Sequence, residues 1–163
     1  MTASLSFRPV VSEDLPVIAA FPASAEELYY LAPRASYPFT AAQLAELVAQ
    51  RSDASVVSRA GEVLAFANIY RQEGGACYVG NVVVAPTARG QGAGRCLMEG
   101  MARVARERHG AQEVRVSCFN GNLQGLRFYH ALGYRPFAME PREGRSGETV
   151  MLIHLRRPCE EAS

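Results

Sequence analysis

The chain has 163 residues, a length that fits one domain with a sizeable core, and a single domain over residues 1–163 is expected. Hydrophobic residues make up 48% and charged residues 20%, a balance that excludes a disordered chain, and the formal net charge of +1 excludes a large field steering the protein to nucleic acid or a membrane. The start, MTASLSFRPVVSEDLP, lacks the basic opening and apolar run of a secretory signal, and no apolar stretch approaches the ~18 residues of a membrane span. Four cysteines (Cys77, Cys96, Cys118, Cys159) form no C-x-x-C pair, and three histidines (His109, His130, His154) show no ligand spacing. A cytoplasmic protein without a metal is therefore the expectation.

Residues 5–10 read as a first strand. Ser12 then offers an N-cap, with Glu13 and Asp14 in the first turn of a short helix. Ser24-Ala-Glu-Glu27 and Thr40-Ala-Ala-Gln43 match the capping-box spacing, so two more helices are predicted to start there. Between them, residues 29–39 form a loop rich in aromatics. Residues 54–59, 63–71 and 76–84 favour strands, and the glycine turns between them predict an antiparallel meander. Helical period returns after Gly92, with Ala93, Leu97, Met101, Val104 and Ala105 on one side. Arg103, Arg106 and Arg108, interleaved with Glu107, read as its solvated face. A short strand over 114–119 is followed by a helix over 122–132 that Gly133 stops. Residues 134–140 and 149–155 read as two last strands joined by a polar loop over 141–147. This order predicts an α+β or mixed-sheet α/β domain.

The most informative stretch is residues 82–95, VVVAPTARGQGAGR, in which an apolar strand runs through a glycine-rich turn into an amphipathic helix. Glycines let backbone N–H groups approach a ligand and converge on it, and the helix N-terminus adds partial positive charge and unsatisfied donors. Together they make a phosphate or pyrophosphate site. The P-loop pattern fails because Gly94 is followed by Arg95 and Cys96, and G-x-G-x-x-G fails because Arg95 and Leu97 occupy its last position. The pattern R/Q-x-x-G-x-G/A is met by Arg89, Gly92 and Gly94. Here the sequence resembles the GCN5-related N-acetyltransferase superfamily. The resemblance implies an α/β fold with a mixed, mostly antiparallel sheet flanked by helices. It also implies a pyrophosphate cradle for acetyl-CoA from Arg89, Gly90, Gln91, Gly92, Ala93, Gly94 and Arg95, and a pantetheine-binding strand edge at Val82, Val83 and Val84.

A second segment, residues 119–134 (FNGNLQGLRFYHALGY), is similar to the family pattern N-x-x-A-x-x-x-Y-x-x-x-G-[FY]. Asn122, Gly125 and Tyr129 share one helical stripe, so a small residue there leaves room for a ligand between two polar groups. By resemblance Asn122 bonds the cofactor arm and Tyr129 protonates the departing CoA thiolate. A tyrosine of an amphipathic helix is, taken alone, core packing; the joint spacing to Asn122 and Gly133 is what singles Tyr129 out. His130 falls on the wrong side of the helix and reads as a surface residue.

One departure concerns the base. Family members often carry a glutamate on the strand before the loop, whereas Tyr78-Val79-Gly80-Asn81 has no carboxylate. A water chain aided by Asn81, Tyr78, Glu26 or Glu27 is the expectation in its place. Cys77 and Cys118 read as buried thiols, not acyl carriers. The acceptor is expected to be an amine-bearing small molecule or a lysine-containing peptide, with Tyr30, Tyr37, Phe39, Asn68, Tyr70 and Asn81 lining its pocket. A non-catalytic acyl-CoA sensor on the same fold is the alternative, and monomer or homodimer is left open.

Overall fold

The computed structural model describes residues 3–159. In chain order its elements are β1 (Ser6–Pro9), α1 (Leu15–Ala19), α2 (Ala25–Leu31), α3 (Ala41–Gln50), β2 (Ser52–Arg59), β3 (Glu62–Glu73), β4 (Ala76–Val84), α4 (Ala93–His109), β5 (Glu113–Phe119), α5 (Leu123–Ala131), β6 (Arg135–Glu143) and β7 (Thr149–Pro158). The strands form one sheet in the order β1-β2-β3-β4-β5-β7-β6. Every neighbouring pair is antiparallel except β4 and β5, which are parallel. That exception follows from the chain path, because a parallel neighbour needs a crossover and α4 supplies it.

Two helix starts behave as their sequence signals predict in part. Ser24 Oγ accepts from Glu27 N–H at 3.1 Å and Thr40 Oγ1 from Gln43 N–H at 3.2 Å. The reciprocal bonds of a full capping box are replaced: Glu27 accepts from Ala23 N–H, and Gln43 turns to Ser36 and Pro38. Ser12 is not an N-cap. It lies inside a single 3₁₀ turn, Ser12–Asp14, and the backbone N–H of Val11 is taken by the Asp14 carboxylate at 2.8 Å. Arg8 holds that carboxylate with two bonds, at 2.8 and 3.0 Å, so Asp14 outcompetes the serine.

The loop predicted over 141–147 is shorter. Pro141, Arg142 and Glu143 pair with Met151, Val150 and Thr149, which leaves residues 144–148 as the turn. Proline reads as a strand stop, but β6 is the sheet edge, where no neighbour needs its missing N–H.

The core lies against β3, whose Val63–Ile69 run is buried without alternation. Such a run requires cover on both faces. Helix α4 packs across β1 to β5, burying Leu97, Met98, Met101 and Ala105, with Val104 half-buried. Helices α1 and α3 pack on β3 and β2. Among the described residues no helix is long and apolar enough to cross a membrane.

Candidate active site

Strands β4 and β5 begin side by side and then part. Their parallel pairing consists of Ala76 with Glu113, Cys77 with Val114 and Tyr78 with Arg115. Beyond Tyr78, residues 79–84 keep β3 on one side and, among the described residues, have no strand on the other. The β3–β4 register shifts on both sides of the Asn68–Gly80 pair, and Asn81 adopts φ +47°. A bulge of this kind re-aims the strand, and asparagine tolerates the left-handed backbone better than a branched residue would. A cleft of about 1560 Å³ opens along the freed edge and is lined by Val82, Val83 and Val84.

The glycine loop forms one end of this cleft. After the 3₁₀ turn Pro86–Ala88, Gly90 and Gly92 take φ +77° and +87°, and Gly92 is the N-cap of α4 with no side chain bonding the first turn. A Cβ on Gly90 would meet nothing within 4 Å. The loop therefore leaves open space beside uncapped N–H groups at a helix start, which fits a pyrophosphate. Arg89, Gly90, Gly92, Gly94 and Arg95 line the cleft; Gln91 and Ala93 do not. The Gln91 side chain is turned into the loop, donating to Thr87 C=O at 3.0 Å and accepting from Arg59 at 3.1 Å. Gly94 has a packing role as well, since a Cβ there would fall 2.6 Å from Phe128 Cε1, on the neighbouring α5.

On α5, Asn122 is the N-cap, its Oδ1 accepting from Gly125 N–H at 3.0 Å. That bond leaves the Asn122 amide NH₂ for the cleft. Gly125 departs from the expectation of room for a ligand: a Cβ would lie 2.6 Å from Asn122 Nδ2 and 2.9 Å from Cys118 Sγ, so the space belongs to the cap and the thiol. Tyr129 is 7% exposed, lines the cleft and packs edge-on to Tyr134, ring centroids 5.8 Å apart. Its hydroxyl makes no hydrogen bond among the described residues. Burial, reinforced by Cys118, Tyr134 and Tyr70 nearby, pushes the phenol well above its ordinary range, so it keeps its proton at neutral pH. Burial also pushes the Cys77 and Cys118 thiols up to about 11, which keeps both out of the thiolate form.

The expected acceptor residues divide. Tyr30, Tyr70 and Asn81 line the cleft, whereas Tyr37, Phe39 and Asn68 do not. Tyr37 is 50% exposed outside it, its hydroxyl 3.4 Å from Ala23 C=O. Phe39 is drawn into the core beside Ile18 and Leu44, just ahead of the Thr40 cap that launches α3. Asn68 is fully buried behind Asn81, donating to its Oδ1 at 2.8 Å.

Four cleft residues carry no sequence signal. Arg51 donates to Asn81 Oδ1 at 2.6 Å. Ser117 and His154 are cross-strand partners on β5 and β7, with Ser117 Oγ 2.7 Å from His154 Nδ1. Glu140 Oε1 stands 3.3 Å from His154 Nε2, and the Tyr70 hydroxyl 3.3 Å from Ser117 Oγ. Tyr70, Ser117, Glu140 and His154 come from separate strands, with Ser117 and His154 37 residues apart, so only the sheet register brings them together.

The family model for acetyltransferases (GNAT) matches residues 20–134, more than half of the chain. No curated protein sequence matches it. Among solved structures, the yncA protein of Salmonella typhimurium, solved with its cofactor acetyl-CoA, aligns with TM-score 0.70 at 22% identity over 98% of this chain and 96% of that one. A GCN5-related N-acetyltransferase from Kribbella flavida gives TM-score 0.71 at 26% identity, covering 94% and 97% of the two chains. The ribosomal-protein-S18-alanine N-acetyltransferase of Escherichia coli gives 0.68 at 20%, covering 98% and 97%. These likenesses show a shared fold over nearly the whole chain. The family match, which runs through the glycine loop and the tyrosine helix, shows that the chain belongs to the acetyltransferase (GNAT) family.

Proposed function

We propose that the protein moves an acetyl group from acetyl-CoA to a primary amine by direct attack in a ternary complex. One observation carries this reading: the phenol of Tyr129, with no hydrogen bond among the described residues, lines the cleft that opens where β4 leaves β5. A solved relative in fold that contains acetyl-CoA supports the choice of co-substrate. Bound acetyl-CoA supplies the activated acetyl group as a thioester. The N–H groups of residues 90–95 would hold its pyrophosphate, and the freed edge of residues 82–84 its amide-rich arm, much as a sheet edge takes a peptide strand.

The chain's own groups then have distinct tasks. Strand N–H groups at the freed edge of β4 would stabilise charge on a carbonyl oxygen held there. The Tyr129 phenol would supply the proton that a departing thiolate takes up. An acceptor ammonium, with an ordinary pKa of about 10.4, must shed a proton before it attacks. The Tyr78 hydroxyl is engaged by Arg115 at 2.7 Å and stands aside. The series Tyr70, Ser117, His154 offers a route instead, because imidazole is the side chain suited to take a proton near neutral pH. Glu140, which Arg142 holds below the usual carboxylate range, faces the far nitrogen of His154.

The test is acetyl-CoA binding by calorimetry, followed by amine-dependent release of CoA thiol and a mass gain of one acetyl group on the acceptor. A panel of small amines, lysine peptides and amino-bearing antibiotics covers the acceptor classes. Binding without transfer to any of them supports the acyl-CoA sensor; no binding removes both readings.

A further inference from the structure

Arg51, immediately after α3, is a cation in the cleft with no anion opposite it among the described residues. Its Nη1 donates to Asn81 Oδ1 at 2.6 Å and Asn68 Oδ1 at 3.3 Å, both neutral amides, and its guanidinium carbon lies 5.0 Å from the centre of the Tyr70 ring. Asn81 is anchored in turn, donating to Leu31 C=O at 2.8 Å. The guanidinium is thus held in place by partners that do not neutralise it. It is half-buried, and burial pulls its pKa down; Arg34 adds to that pull against the opposing effect of Tyr70.

The carboxylates around the cleft do not answer this charge. Glu27 pairs with Arg89 at 2.7 Å and Glu140 with Arg142 at 2.6 Å, while Glu26 and Glu46 make no ion pair among the described residues. Arg34 also lines the cleft without an acid partner among the described residues. A half-buried cation lacking a counter-ion costs stability, and an anionic ligand removes that cost. The location is specific too. A Cβ on Gly80 would fall 2.6 Å from Tyr70 Cδ1 and 3.1 Å from Arg51 Nη1, so the glycine lets both side chains lie against β4 just beyond its last pair with β5.

We propose that Arg51, with Arg34 nearby, binds a carboxylate on the acceptor, so that the substrate is a small molecule carrying both the amine to be acetylated and a carboxylate. The proposal rests on the acetyl-transfer reading above and narrows it. A planar guanidinium fork matches a carboxylate with two parallel N–H donors, a geometry that fixes the rest of the molecule relative to the strand edge. Tyr30 and Tyr70 supply apolar surface for the carbon skeleton between the two ends. A lysine side chain in a peptide brings no obligate carboxylate and does not use this cation.

Matched probes test it: free amino acids with apolar side chains, their carboxamides and the corresponding decarboxylated amines, alongside lysine peptides. Each is titrated calorimetrically into the protein saturated with CoA, and each is assayed for acetyl transfer. The acids are expected to bind more tightly than their amides and amines, by about 10- to 100-fold. In Arg51→Gln that preference collapses, and Arg51→Lys recovers part of it. Acetyl-CoA binding, measured in parallel, reports whether the cleft of each variant is intact; if Arg51→Gln does not fold, the wild-type preference and Arg51→Lys decide. Acids that bind through Arg51 but are never acetylated leave the carboxylate site standing and remove the transfer reading. Equal binding of acid, amide and amine, no measurable binding of any acid at millimolar concentration, or a preference for lysine peptides overturns the proposal.

Discussion

Tyr129 shows how a residue's task follows from what surrounds it. The ring is held by packing against Phe128 and Tyr134, so its position does not depend on the hydroxyl. The hydroxyl, unbonded and keeping its proton, is left for a ligand. Tyr129→Phe therefore preserves the fold and removes one donor. General-acid catalysis contributes about 10²–10⁴-fold, and kcat is expected to fall by that order while acetyl-CoA affinity changes little. An unchanged rate in single-turnover acetyl transfer would show that Tyr129 is not the donor. This residue was legible from sequence because its partners Asn122 and Gly133 lie on the same helix at fixed spacing. Arg51 was not, because its significance is the lack of an acid opposite it among the described residues, and such a lack is visible only when distant segments are packed together.

Helix α4 is the element that connects the two sides of the site, and its ends are secured differently. Its start is left without a side-chain cap, whereas its far end is tied to β2. Asp53, with its side chain 3% exposed, meets His109 Nε2 at 2.7 Å and Arg108 at 2.5 Å. Burial alone would raise the Asp53 pKa, but bonds from His109 and Ser52 and the charge of Arg108 outweigh it and the net direction is downward. A carboxylate lowered on folding stabilises the native state above its unfolded pKa and loses that contribution as pH falls through the folded value. Asp53 has φ +55°, a conformation asparagine also tolerates, so Asp53→Asn removes the charge without adding backbone strain. It is expected to cost about 1–2 kcal/mol at pH 7, and the gap from wild type should close below about pH 4. Denaturant melts across that range check it; a gap independent of pH would assign the effect to packing. The helix and strand segments, and the two caps at Ser24 and Thr40, were legible because their signals are local. Ser12 and the span of β6 were misjudged because Arg8, far enough away to be missed, committed Asp14, and because sheet position decides whether Pro141 ends a strand.

At the scale of the molecule, strands β1–β4 and β5–β7 make two sides of a sheet joined by a short parallel contact and bridged by α4. Periodicity could place each strand but not say that β5 lies beside β4, and still less that their pairing stops after Tyr78, so the route through Tyr70, Ser117 and His154 was out of reach of sequence. A ligand seated along the split would touch β4, the start of α4 and α5 together. Binding only to the folded state at 100 times Kd adds about 2.7 kcal/mol, and at about 2–4 °C per kcal/mol for a chain of this size saturating acetyl-CoA should raise Tm by about 5–10 °C. Hydrogen exchange should slow most in residues 79–84 and 90–95, which border the split, and little in β6, on the far edge. Gly90→Ala and Gly92→Ala separate the causes. Both positions have positive φ, so each variant loses some stability without ligand, but only disruption of the cradle also shrinks the acetyl-CoA-induced rise in Tm. A full rise in both variants, or protection elsewhere in the sheet, would move the cofactor away from the glycine loop.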